Sequence, residues 1–377
     1  MLTYTLLNLL KAPIRSLQLF IGTFLVFMLL MAAAAFQTGM TNSLSMTASE
    51  QNVILLGAGS EESLERSEVS WQAVPATKTL KGIKKVFGQP AVSPESHYNT
   101  VVKIADKEME AMLRGVTRSS LIVYPALAIS EGNFPASGEM MVGRLAWKRL
   151  GLEESDLKIG SEIIYEKQTF KVSGIFSAPK TVMESEVWMN LNDLSALSQR
   201  DSISCITVRL DTAEFDDIDL FTKKRLDLQL TVIKESDYYA KLGSFYEPIL
   251  VMAWITALLI AAGALFGGLN TFYAAIKSRS KELATLQAIG YSRTKLFISL
   301  FGESCIIHAL AFLVALIVSM SFFPMVHINF GSTFFSLSLN QEQVLGIFIS
   351  AITLALLVIL IPAWNCLHPP LSKTLNE

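Results

Sequence analysis

Four long apolar runs interrupt an otherwise polar chain. Leu17 to Phe36, Pro248 to Ile276 and Val344 to Trp364 carry no charged side chain, and Leu296 to Phe323 carries just Glu303 and His308. Crossing a hydrocarbon core of about 30 Å takes roughly 20 such residues in a helix, so each run is long enough to span a bilayer. The pattern places spans at 17–37, 248–276, 296–323 and 344–364. Lys11 and Arg15 precede the first run, as in a signal peptide, but its apolar stretch exceeds the usual core of about 7–15 residues. It is read as an uncleaved span. The segment 1–16, with Leu2, Leu6, Leu9 and Leu10 beside Lys11 and Arg15, is either an amphipathic helix in the interface or a cytoplasmic extension of that span.

Between the first two runs the pattern shortens. Asn52 to Leu56 reads as a strand ended by Gly57 and Gly59, and Glu61 to Val69 and Pro75 to Phe87 read as helices. Thr100 to Ile104 is β-branched, and Gly88-Gln-Pro90 and Ser93-Pro94 mark turns. A second part begins near Met140. Met141 to Gly143 is a strand, Arg144 to Leu150 a helix stopped by Gly151, and Glu162 to Tyr165 with Thr169 to Phe176 a hairpin. Val187 to Met189, Ile206 to Leu210 and Leu228 to Ile233 add strands, and Phe215 to Leu226 adds a helix. Ser236 to Tyr246 reads as a helix running into the second span as a stalk. The expected fold is a four-span, multi-pass α-helical membrane protein. An α+β domain at 38–247, built of two subdomains, is inserted between spans one and two.

Composition sharpens this division. The chain has 377 residues, 51% hydrophobic and 17% charged, against about 25% charged in soluble domains. Of its 31 Lys and Arg and 33 Asp and Glu, 23 and 29 respectively fall between Thr38 and Glu247. That stretch faces water. A net charge of -2 gives no footprint for nucleic acid. Cys205, Cys305 and Cys366 are too scattered for a disulfide framework. Lys11 and Arg15, then Lys277, Arg279, Lys281, Arg293 and Lys295, then Lys373, flank the spans on one side, whereas 324–343 has no Lys or Arg. By the positive-inside rule both termini (1–16 and 365–377) and the 277–295 loop are cytoplasmic. The 38–247 domain and the 324–343 loop are then outside.

Catalytic patterns are sparse. The chain has no Gly-Lys pair, hence no P-loop, and no HExxH, CxxC or GxSxG. His97, His308, His327 and His368 are too dispersed to predict a metal site. Ser155-Asp-Leu-Lys158 matches a serine–lysine pattern, but a solvated helix start is the better reading. Glu303 and His308 are intramembrane ionisable groups and functional candidates on that ground. Five residues apart, they lie about 140° around a helix at 3.6 residues per turn and do not form a relay. Glu303 is expected near the cytoplasmic boundary, snorkelling or paired with a basic residue, and His308 as a packing histidine. Gly263 and Gly267 form a GxxxG match, suited to a dimer or packing face.

The 277–295 loop carries the most information. Ser280 to Ile289 reads as a short helix stopped by Gly290. Leu283, Leu286 and Ile289 or Gln287 recur at helical spacing, so one side is apolar and needs a partner. A groove on a cytosolic protein and the bilayer surface both fit.

Gly267-Gly-Leu-Asn270-Thr-Phe-Tyr273, Arg279-Ser-Lys-Glu282-Leu-Ala-Thr-Leu286-Gln-Ala288-Ile-Gly290 and then Glu303 resemble the MacB/FtsX-type ABC transporter permeases. Gln287 stands where that family usually has Arg. Leu113-Arg-Gly-Val116, Met141-Val-Gly-Arg144-Leu-Ala146, Leu157-Lys-Ile-Gly160 and Phe170-Lys-Val-Ser-Gly-Ile175 resemble its periplasmic core domain. The resemblance implies a permease dimer in the bacterial inner membrane with two cytosolic ABC ATPase subunits and, in some systems, a periplasmic adaptor. ATP and Mg would be bound by the ATPase, with no cofactor on this chain. Arg279, Glu282, Leu283, Leu286, Gln287, Ile289 and Gly290 would form the ATPase-coupling helix, and Gly263, Gly267 and Asn270 a packing or dimer face. The work done would be efflux or extraction of an extracytoplasmic substrate. The alternative is a non-transporting regulator of a cell-wall hydrolase, though a domain near 210 residues is large for that type. A membrane-anchored enzyme or sensor has no catalytic constellation behind it.

Overall fold

The structure, a computed structural model, describes residues 13–330 and 333–367. Residues 1–12 of the expected amphipathic segment and residues 368–377 of the expected tail, His368 and Lys373 included, lie outside the described residues. Contacts divide the chain into an apolar unit (1–39, 247–326 and 336–377) and a polar unit (40–246 and 327–335).

Helix α1 (Pro13–Thr47) starts in the first unit and ends in the second. In the polar unit, β1 (Asn52–Gly57) is followed by α2 (Ala73–Lys78) and by a long hairpin of β2 (Val92–Ile104) and β3 (Lys107–Val116). Then come β4 (Ala128–Gly132), β5 (Glu139–Gly143), the hairpin β6 (Glu162–Tyr165) and β7 (Gln168–Ser177), and β8 (Val187–Asn190). Helix α3 (Leu191–Ser198), β9 (Cys205–Arg209), α4 (Phe215–Lys224), β10 (Leu230–Lys234) and α5 (Glu235–Phe245) complete it.

Strand β2 is long enough to serve two assemblies. Its first residues pair with β9, which pairs with β1 and, through it, with β10. From Ser96 onward it pairs with β3, and its end pairs with β6. The pairings β2–β3–β8–β5–β7–β6–β2 close a ring of six strands, removing the exposed edges an open sheet would carry. Alternation of side chains sends Leu113, Met140, Val142 and Val187 into one core with Val102, Ile163 and Phe170. Val53, Leu55, Ile206 and Val208 form another with α4 and β10.

Of two expected helices, one is shortened and one is absent. The Pro75–Phe87 reading yields α2 alone, which ends at Thr79. Gly82 there sits at φ +77, and a Cβ on it would lie 2.5 Å from the Ala213 nitrogen. Its carbonyl accepts from Asp211, Thr212 and Ala213 N–H. Tertiary pairing thus overrides a helical pattern. Over Glu61–Val69 the chain forms turns, with Ser67 Oγ accepting from Gly57 N–H at 3.0 Å.

The apolar unit adds α6 (Glu247–Ser278), α7 (Ser280–Ala288), α8 (Arg293–Phe322) and α9 (Gln341–Leu367). The loop expected at 324–343 contains a hairpin, β11 (His327–Phe330) with β12 (Thr333–Ser336), that groups with the polar unit. Among the described residues, four helices are long and apolar enough to cross a membrane: Pro13–Thr47, Glu247–Ser278, Arg293–Met325 and Gln341–Leu367. Phe272 and Ile276 of α6, Leu296, Leu300 and Ile307 of α8, and Val358 and Ile359 of α9 share one core. At Gly268 a Cβ would press on Val358 at 3.2 Å, so its absence lets α6 and α9 approach closely.

Candidate functional site

Two places concentrate charge where charge is costly. The first surrounds α7. Ser280 to Ala288 is helical, and its end is a Schellman motif. Gly290 sits at φ +104, its N–H donates to the Gln287 carbonyl, and Tyr291 N–H reaches back to Leu286. The apolar side of this helix finds its partner within the chain. Leu283 and Ala284 are buried, and Leu286 packs against the same core as Phe272 and Leu296. Neither a partner groove nor the bilayer surface, the two partners read from the sequence, is what Leu283 and Leu286 rest on within the single chain. Ile289 is 72% exposed and, with Lys281, Glu282 and Thr285, makes the outward side. Gln287 is half-buried.

Arg279 stands before α7. Its Nη1 lies 3.2 and 3.3 Å from the two carboxylate oxygens of Glu303 on α8. Its Nε is 3.7 Å from Glu282. Glu303 is almost fully buried, so this pair pins the short helix to the third span. A buried pair is costly to break, since removing one partner leaves the other charged and unmatched. His308 takes no part. Its Nδ1 lies 2.8 Å from the Ser304 carbonyl, and Ser304 Oγ donates to the Ala355 carbonyl at 2.9 Å, joining α8 to α9. Gly263 and Gly267 face open space, and exposed Asn270 lines a recess with Arg15, Thr271 and Ser278. The close approach on this helix is made by Gly268 instead.

The second place lies in the polar unit and was not read from the sequence. Arg114, on the face of β3 opposite Leu113, is 2% exposed. Its Nη2 donates to Glu186 Oε1 at 2.8 Å and its Nη1 to Glu95 Oε2 at 3.2 Å. Trp188 Nε1 donates to Glu186 Oε2 at 2.8 Å, and the guanidinium stacks 5.3 Å from the Trp188 ring. Tyr124 Oη is 3.2 Å from both Glu95 Oε2 and Thr207 Oγ1. Register explains the assembly: His97 pairs with Arg114, Arg114 with Trp188, and Glu95 with Cys205. Burial alone would raise the Glu95 pKa, but His97 and Arg114 outweigh it and hold the carboxyl below its usual range. Burial works against the Arg114 charge, yet Glu186 and Glu95 hold its pKa well above normal. The available signal was polar residues at the alternate positions Ser93, Glu95 and His97, which put them on one face of a strand.

A third buried carboxylate lies nearby. Glu235, the first residue of α5, accepts from Ser49 N–H at 3.1 Å and Asn52 Nδ2 at 2.9 Å. It ties the start of that helix to the segment just beyond α1. Burial raises its pKa to about 7 against those hydrogen bonds. Ser155 of the serine–lysine pattern is exposed in a single 3₁₀ turn, with no base beside it among the contacts described.

A family model of the MacB-like periplasmic core domain matches residues 17–218, and one of the FtsX-like permease C-terminal domain matches residues 254–371. Among solved structures, the periplasmic region of MacB from Actinobacillus actinomycetemcomitans is similar over 52% of this chain and 94% of its own, with 12% identity and a TM-score of 0.40. The extracellular domain of the noncanonic ABC-type transporter YknZ from Gram-positive bacteria covers 48% of this chain and 99% of its own, with 14% identity and a TM-score of 0.37. No curated protein matches the chain.

Proposed function

The chain belongs to the MacB/FtsX-type ABC transporter permeases, and from that premise we propose that it couples ATP binding and hydrolysis on a separate cytosolic ATPase to movement of its polar domain. ATP and Mg belong to that partner. The observation that carries the reading is the Arg279–Glu303 pair. A short helix resting on the bundle through Leu283 and Leu286, locked by a buried ion pair, moves with the bundle as one body when its outer side is pushed. Its outward residues Lys281, Glu282, Thr285 and Ile289 are the ATPase contact in this reading. Helix α1, continuous over 35 residues, is the lever that carries the movement onward.

The orientation follows the Lys and Arg distribution, with the α7 side cytoplasmic and the polar domain outside. The face of α6 bearing Gly263, Gly267, Phe266 and Met252 is uncovered in the single chain. It is the proposed contact with a second permease, in a complex of two permeases and two ATPases. The polar domain would then act on a substrate in the outer compartment, with or without a periplasmic adaptor. A regulator of a cell-wall hydrolase would share the membrane half, and the neighbouring genes distinguish the two: an adaptor gene for efflux, a hydrolase gene for regulation.

The test is affinity purification of the tagged chain from native membranes. The proposal expects an ABC ATPase in the eluate at a ratio near one per permease. A chain that elutes without any ATPase sinks it.

A further inference from the structure

The buried cluster of the polar domain contains donors that its own ion pairs leave unused. Glu95 spends Oε2 on Arg114 and Tyr124, while its Oε1 is buried with no hydrogen-bond partner. His97 Nε2 is likewise buried with no hydrogen-bond partner, and lies at ion-pair distance, 3.4 Å, from Glu95 Oε2. Cys205 is the cross-strand neighbour of Glu95 and is 1% exposed. One oxygen, one nitrogen and one sulfur from these residues all lie within 4.8 Å of one another.

We propose that Glu95, His97 and Cys205 bind a divalent transition-metal ion, with zinc as the best match. Zinc takes sulfur at about 2.3 Å, nitrogen at about 2.0–2.1 Å and carboxylate oxygen at about 2.0–2.2 Å in a tetrahedron. Those bond lengths set donors about 3.4–3.6 Å apart, so closing around the ion requires a contraction on the order of 1 Å. A set of one hard, one borderline and one soft donor disfavours magnesium and calcium, which take oxygen throughout. The fourth position is left to water.

Surroundings support the assignment. Arg114 and Tyr124 already orient the Glu95 carboxylate, the outer-shell arrangement that metal-binding carboxylates use. On binding, the Cys205 S–H bond breaks, its proton passes to water and the sulfur bonds the metal. A cavity of about 650 Å³, bordered by Glu61, Glu65, Tyr238 and Tyr239, reaches His97 and Arg114.

The test uses the full-length chain purified in detergent and stripped with chelator, with Cys305→Ser and Cys366→Ser as the background so that Cys205 is the remaining thiol. Added zinc is expected to bind at one per chain and to raise the melting temperature. Cobalt added in its place is expected to give a thiolate-to-metal charge-transfer band. Cys205→Ser should abolish the band, and His97→Ala should abolish stoichiometric zinc. Lack of a cobalt–thiolate band in the folded background protein overturns the proposal, whatever the variants do. So does zinc binding that survives both substitutions, which would mark adventitious sites elsewhere.

Discussion

At the residue scale, the polar domain relies on buried carboxylates held by a shared arginine or by hydrogen bonds. Arg114 is ion-paired to two of them, so its loss leaves buried Glu95 and Glu186 without their guanidinium partner. Arg114→Met is expected to destabilise the polar domain by about 3–5 kcal/mol, the usual cost of breaking a buried pair from one side. Denaturant unfolding followed by Trp188 fluorescence measures it, and a loss below about 1 kcal/mol, as for an exposed pair, would contradict the buried network. Glu235 makes a pH-dependent contribution. Its folded pKa of about 7 lies above the ordinary 4.5. The folded state therefore holds the proton more tightly, and the stability this gives is fully present below about pH 4.5 and lost as pH rises through 7. Glu95 and Arg114 act on it with opposite signs, the first raising and the second lowering its pKa. Glu235→Gln should melt higher than the parent at pH 8, with the gap narrowing steadily toward pH 5. A gap that stays constant over this range would show that Glu235 does not titrate there.

At the scale of elements, α7 separates what was legible in the sequence from what was not. Its extent and its Gly290 stop follow from local pattern and chain sterics. Which way it faces does not, because a partner groove and the chain's own bundle both accept an apolar side. The structure turns Leu283 inward and Ile289 outward. Ile289→Asp is therefore expected to release the ATPase while the permease still folds, whereas Leu283→Asp should lower the yield of folded permease itself. Co-purification and size-exclusion profiles of both variants decide this, and the reverse pattern would reverse the assigned faces. The β2–β3 hairpin was half-read for a similar reason. Ala105 and Asp106 make its two-residue turn at φ 47 and 64, where Asn-Gly or Asp-Gly would have been the signal. The four spans and the hairpin β6–β7 were legible because length and alternation suffice for them. The network around Arg114 depends on strand order and register across distant segments, which no local pattern carries.

At the scale of the whole molecule, the chain runs between an apolar unit of four long helices and a polar α/β unit through α1 and the α5–α6 connection. Orientation is testable with single cysteines in a background lacking the native three. A cysteine at Phe87, which is fully exposed, should react with an impermeant reagent added outside intact cells, and one at Tyr291 should react after lysis. Labelling of Tyr291→Cys from outside would invert the topology. If the outward side of α7 seats an ATPase, a photo-crosslinking amino acid at Ile289 in native membranes is expected to give an adduct with an ATP-hydrolysing subunit, and none when the same group replaces buried Leu283. Adducts at Ile289 with lipid alone, or with no ATPase, would contradict it.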